Sequence, residues 1–205
     1  MGDPTAALLT VIGTIFLAEL TDKDALLLLT LATKTNPWRV FAAGSIAFSI
    51  TSAIIVLFGT VLVSFVPIFW IKLVGGAIML GYAVFQYARG LREERNVQTR
   101  GEKLAGGGTS SDIAAFLAVL ASLVVLDLAG DATELLTVIF VAQFDNLLLV
   151  FSGAVIALVA ATALETILGN RLGKILSARR IRYLSIVVFL AIGSVVILST
   201  VLTGV

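Results

Sequence analysis

The sequence predicts an all-α integral membrane protein, with six transmembrane helices arranged as two inverted-topology three-helix repeats. Three observations lead there. The 205 residues are 59% hydrophobic and only 13% charged, with a mean hydropathy of +1.09, where a soluble domain has about 45–50% apolar and about 25% charged residues. Uncharged runs of membrane-spanning length recur along the chain, enough for about six spans of ~20 residues. The design of the first run then returns in the fourth, 109 residues on.

The first span covers residues 5–33. Thr5–Ala18 supplies fourteen uncharged residues and Ala25–Thr33 nine more, on either side of Glu19, Asp22, Lys23 and Asp24. The first basic residue is Lys23, so the start of the chain does not read as the positive region of a signal peptide. Spans two and three follow at 40–64 and 68–89, with Pro67 in the turn between them, where a missing N–H does least harm. Residues 89–112, RGLREERNVQTRGEKLAGGGTSSD, are polar and glycine-rich and read as a solvated linker. Spans four, five and six are expected at 113–144, 146–170 and 180–203. The chain thus divides into a first three-helix repeat (1–88), a cytoplasmic linker (89–112) and a second three-helix repeat (113–205).

Charge sets the expected orientation. Lys34 and Arg39 follow the first span, five basic residues between Arg89 and Lys103 follow the third, and five between Arg171 and Arg182 surround the turn between the last two. Twelve of the fourteen basic residues therefore fall on one side, leaving only Lys23 and Lys72. The positive-inside rule makes that side cytoplasmic and both termini external, here in a prokaryotic cell membrane. The expected partners are the lipid bilayer, metal ions and protons, with self-association as a homo-oligomer left open and no nucleic acid.

The absence of cysteine and histidine excludes disulfides, thiolate sites and histidine-ligated zinc or copper. Any metal handled by this chain is held by oxygen. No resident cofactor is expected.

The repeat supports the architecture. In the fourth span Ile113–Leu126 gives fourteen uncharged residues, followed by DLAGDATE and ten more uncharged residues. The 109-residue offset aligns TDKDALLLLTLA (21–32) with GDATELLTVIFV (130–141) and pairs Gly44 with Gly153. Three spans per half is an odd number, so the second half enters the membrane from the opposite face. Inverted repeats are a transporter signature, with the site near the midplane where the halves meet.

The two clusters hold six carboxylates and one lysine, and Glu165 in the fifth span makes a seventh carboxylate. An ionisable group at a helix centre costs roughly 2.5–3.5 kcal/mol on insertion scales. Such groups must face one another, water or a bound cation. On a continuous helix Asp127, Asp131 and Glu134 share a face, as do Glu19, Asp22 and Lys23, whereas Asp24 points away unless the helix is broken there. Lys23 can neutralise Glu19 as a salt-bridged structural pair, but one lysine does not cover the remaining acids. Glu165 either joins the site or pairs with Arg171 near the cytoplasmic end. Thr21, Thr133, Gln143 and Asn146 are further oxygen donors, though ordinary helix–helix hydrogen bonding accounts for them equally well.

AELTDKDALLLLTLA and LAGDATELLTV, in two inverted halves, resemble protein family 0016, the Gdt-type Ca²⁺/Mn²⁺:H⁺ antiporters. That family's hallmark is E-x-G-D-K-T/S, once per half. Glu19, Asp22 and Lys23 match in the first half, with Thr21 in place of the glycine and Asp24 in place of the Thr/Ser. Gly130, Asp131 and Thr133 match in the second, with Leu128 where the first acid belongs and Ala132 in place of the lysine. Asp127 stands one residue early and Glu134 adds an acid.

The resemblance implies exchange of a divalent cation, Mn²⁺ or Ca²⁺, for protons and no enzymatic activity. The expected metal ligands are Glu19, Asp22, Asp127, Asp131 and Glu134, with Lys23, Asp24 and Glu165 as proton-coupling or counter-ion groups. A passive cation channel and an intramembrane aspartyl hydrolase built on Asp22 and Asp131 are the alternative readings. A scaffold without transport is a third.

Overall fold

The computed structural model describes residues 3–106, 112–128, 132–144, 146–175 and 178–204. Among them are eight helices: α1 (Pro4–Glu19), α2 (Lys23–Lys34), α3 (Pro37–Phe65), α4 (Ile68–Gly106), α5 (Asp112–Leu128), α6 (Ala132–Gln143), α7 (Leu147–Ile175) and α8 (Ala178–Thr203). α3, α7, the Ile68–Ala88 part of α4 and the Tyr183–Thr203 part of α8 are each long and apolar enough to cross a bilayer. The other four helices form two bent spans, α1 with α2 at 66° and α5 with α6 at 60°. With each bent pair counted as one, the chain has six spans.

Local chemistry explains where the helices begin. All three prolines stand at helix starts, where the first turn leaves an orphan N–H position that proline fills without loss. Pro4 follows Asp3, whose carboxylate accepts from the Thr5 N–H at 3.0 Å, and Pro37 follows Asn36, whose side chain accepts from the Trp38 N–H at 3.0 Å. The Pro67 carbonyl accepts from the N–H groups of Trp70 and Ile71 as α4 starts. Asn146 starts α7 by accepting from the Leu149 N–H at 3.1 Å.

The first span is not the continuous helix expected from its hydropathy. α1 stops at Glu19, and Leu20–Asp22 form a tight turn in which the Thr21 N–H donates to the Ala18 carbonyl at 3.1 Å and the Asp22 N–H to the Glu19 carbonyl at 3.0 Å. The Thr21 hydroxyl also donates to the Ala18 carbonyl, at 2.8 Å. The last carbonyls of α1 thus find donors within the chain itself, as carbonyls away from water require. The fourth span also comprises two helices, so Asp127 on α5 and Glu134 on α6 belong to different ones. The shared face expected for Asp127, Asp131 and Glu134 on one helix therefore does not hold for Asp127 and Glu134, and Asp131 lies outside the described residues.

The segment 89–112 also differs from a simple linker, because α4 continues through it to Gly106. Arg, Leu, Glu and Gln favour helix and no proline interrupts them; polarity here signals exposure rather than the end of the helix. This extension rests on α2. Gly101 is buried, so close to its neighbour that a methyl group there would stand 2.9 Å from Thr30 Cγ2, and Lys34 pairs with Glu102 at 2.8 Å.

Helix packing repeats across the halves. α1 and α2 both pack on α7, as α5 and α6 both pack on α3, while α3 meets α7 and α4 meets α8. The bent span of each half therefore lies against the middle helix of the other, which interlocks the repeats. Glycine permits the close approach that membrane helices use in place of hydrophobic drive. A methyl group on Gly44 would stand 2.9 Å from Thr162 Cγ2 of α7, and one on its repeat partner Gly153 would stand 2.8 Å from Val11 Cγ1 of α1. Leu27, Phe48, Leu123 and Phe189 fill the interior, and Leu57, Phe58, Leu148 and Leu198 face outward as lipid-contacting surface.

Candidate metal centre

Buried charge gathers at the break in the first span. Glu19, at the end of α1, is 0% exposed, and neither carboxylate oxygen has a hydrogen-bond partner among the described residues. Asp22 sits in the turn, buried, and its Oδ1 accepts the hydroxyl of Tyr82 from α4 at 3.1 Å. Asp24 lies in the first turn of α2 and is fully buried. It stands just past the 66° bend between the two helices. Glu165, Asp24, Asp127 and Asp22 all lie within electrostatic reach of Glu19, and Asp22 within that of Glu165.

Glu165 comes from α7. It is 3% exposed and both of its oxygens lack a hydrogen-bond partner among the described residues. It stands with the acids at the break; the Arg171 side chain lies outside the described residues.

The second half contributes Asp127 and Glu134. Asp127, buried near the end of α5, accepts the hydroxyl of Thr51 from α3. Asp127 lines a small cleft together with Thr51, Ser52, Thr133, Glu134 and Thr137. Glu134, in the first turn of α6, is half-buried. Leu128, the repeat equivalent of Glu19, is 41% exposed. The acid of this half has moved one residue along the chain, and that rotation carries it to the interior. Asp131 and the Lys23 side chain lie outside the described residues.

Backbone electrostatics suit the side chains. The C-terminal end of α1 presents partial negative charge to the break, favouring a cation, while Asp24 and Glu134 stand in first turns, where partial positive charge favours an acid. Among the described residues no three acids are set closely enough to hold one ion as they stand. Acids of α2, α5 and α7 nonetheless come within electrostatic reach of Glu19 on α1.

Of the neutral groups, Thr21 uses its hydroxyl on the α1 carbonyls, Asn146 starts α7, Gln143 is exposed, and Thr133 lines the cleft. Thr51 and Tyr82, which donate to Asp127 and Asp22, are absent from the sequence-derived set. Nothing in the sequence separates them from the other hydroxyls of the spans, beyond the weak signal of a polar group in an apolar helix.

A family model described as the divalent cation/proton antiporter GDT1 matches residues 7–94 and 115–203, one segment in each half. No curated protein and no solved structure matches the chain.

Proposed function

The chain belongs to the GDT1 family of divalent cation/proton antiporters, and on that premise we propose that it exchanges Mn²⁺ or Ca²⁺ for protons at carboxylates near the bilayer midplane. Glu19, Asp22, Asp127, Asp131 and Glu134 act as ligands and proton carriers. Lys23 is a tethered counter-ion, and Asp24 takes part in proton coupling.

One observation carries this reading: Glu19 is wholly buried at a helix break, its oxygens unpartnered among the described residues, with four more carboxylates in electrostatic reach. Negative charge at that density is not sustained in a bilayer core without compensation. The acids therefore hold protons or a cation. Carboxylate oxygens are hard ligands that suit Ca²⁺ and Mn²⁺. Because the same oxygens accept either, loading the metal expels protons, and protonation on the other face releases the metal. The interlocked halves alternate access by rocking about the α3–α7 and α4–α8 contacts.

The test is calorimetric titration of Mn²⁺ and Ca²⁺ into the purified protein at several pH values, in buffers of different ionisation enthalpy. Binding is expected to strengthen as pH rises and to release protons, with apparent constants that belong to the cluster as a whole. Asp22→Asn and Asp131→Asn should each weaken binding and flatten its pH dependence, whereas the exposed Glu102→Gln should do neither. Binding without proton release would remove the exchange mechanism. Cation flux into proteoliposomes that ignored a pH gradient would favour a passive channel instead.

A further inference from the structure

We infer that Glu165 is a ligand of the transported cation, supplied from outside the two repeated acidic segments. The inference rests on the antiporter reading above and adds a residue that the repeat cannot generate. At the 109-residue offset Glu165 on α7 corresponds to Val56 on α3, a buried apolar residue. Glu19 corresponds to Leu128, which faces outward. The second half sets its own acid, Asp127, one residue before that position, and α7 brings a further carboxylate within electrostatic reach of Glu19 itself.

The placement follows from packing. α7 packs on both α1 and α2, the two pieces of the broken span, so it passes directly beside the break. Glu165 is 3% exposed, Glu19 is 0% exposed, and the two lie within electrostatic reach of each other. Neither has a hydrogen-bond partner on either oxygen among the described residues. The nearest hydroxyls on α7 are committed elsewhere: Thr162 donates to the Leu158 carbonyl and Thr166 to the Thr162 carbonyl, each at 2.7 Å. Four acceptor oxygens on two buried side chains are left without a donor. A carboxylate has no donor of its own when ionised, so a hard divalent cation between the two satisfies both at once. The equivalent position on α3 holds the buried apolar Val56, so the packing of the repeat does not itself call for a carboxylate at this place.

The experiment compares Mn²⁺ and Ca²⁺ binding by the full-length wild-type protein, Glu165→Gln and Glu165→Asp, together with the rise in Tm that each ion produces. Glu165→Gln keeps the size of the side chain and removes its charge. It is expected to raise Kd for both ions about tenfold or more, to shrink the metal-induced rise in Tm, and to leave the metal-free Tm at or above the wild-type value. Glu165→Asp keeps the carboxylate one methylene further away and should bind with intermediate affinity. Wild-type affinity in Glu165→Gln would overturn the inference while the antiporter reading stood. Wild-type protein that bound neither ion would remove that reading and the inference with it. If Glu165→Gln did not fold, Glu165→Asp would decide: a wild-type Tm response would overturn the inference, and a reduced one would support it.

Discussion

The hydroxyl of Tyr82 donates to Oδ1 of Asp22 at 3.1 Å, joining α4 to the break in the first span. The same ring lies edge-on against Phe189 of α8, centroids 5.4 Å apart. One side chain thus connects the last helix of each half to an acid of the candidate site. Its apolar and polar contacts can be separated by a single oxygen atom.

Tyr82→Phe retains the ring contact and removes the donor that orients Asp22. Metal affinity is expected to fall about tenfold, as when an outer partner of a ligand is lost. Stability should fall by only about 1 kcal/mol, the usual net worth of a hydrogen bond. Titration with Mn²⁺ and thermal unfolding in detergent give the two numbers. Unchanged affinity would mean that Asp22 holds its orientation without the tyrosine.

Two glycine substitutions should behave oppositely. Gly13 has nothing within 4 Å of the place a Cβ would occupy, so Gly13→Ala should be neutral or stabilise by up to about 1 kcal/mol through helix propensity. Gly153→Leu drives a side chain into Val11, whose Cγ1 would be 2.8 Å from the first added carbon, and should destabilise by about 1–3 kcal/mol. Thermal unfolding of the two variants beside wild type is the check. Equal melting would contradict the tight α1–α7 contact.

Orientation is open to a labelling experiment, since the chain has no cysteine of its own. Thr99 is exposed on the extension of α4. Thr99→Cys should react with a membrane-impermeant maleimide only when the cytoplasmic face is accessible, because the basic residues concentrate on that side. Reaction in intact cells would reverse the assigned orientation.

The spans were legible because hydropathy is local and additive: Thr5–Ala18 and Ile113–Leu126 declare themselves without reference to any other part of the chain. The repeat was legible for the same reason, since the 109-residue offset compares one stretch with another. The breaks at Leu20–Asp22 and after Leu128 were not. Both interrupted spans remain apolar enough to read as single helices, and nothing in their hydropathy distinguishes a straight helix from a bent one. The polar segment after the third span shows the converse: polarity does not stop a helix, and α4 runs on to Gly106.

The sequence by itself determined that this is a membrane protein, that it has two related halves, and that acids recur at similar positions along each, because composition, order and spacing are properties of the chain alone. Tertiary structure decided which acids meet. Asp24 is buried just past the bend, Asp127 lies in the interior while Leu128 faces out, and α7, packed on α1 and α2, carries Glu165 within electrostatic reach of Glu19. Those outcomes depend on how each helix is rotated and on which partner covers its face. A helix turns by about 100° per residue, so a break or a single-residue shift re-aims a carboxylate completely, and only contacts between distant segments set where it finally points.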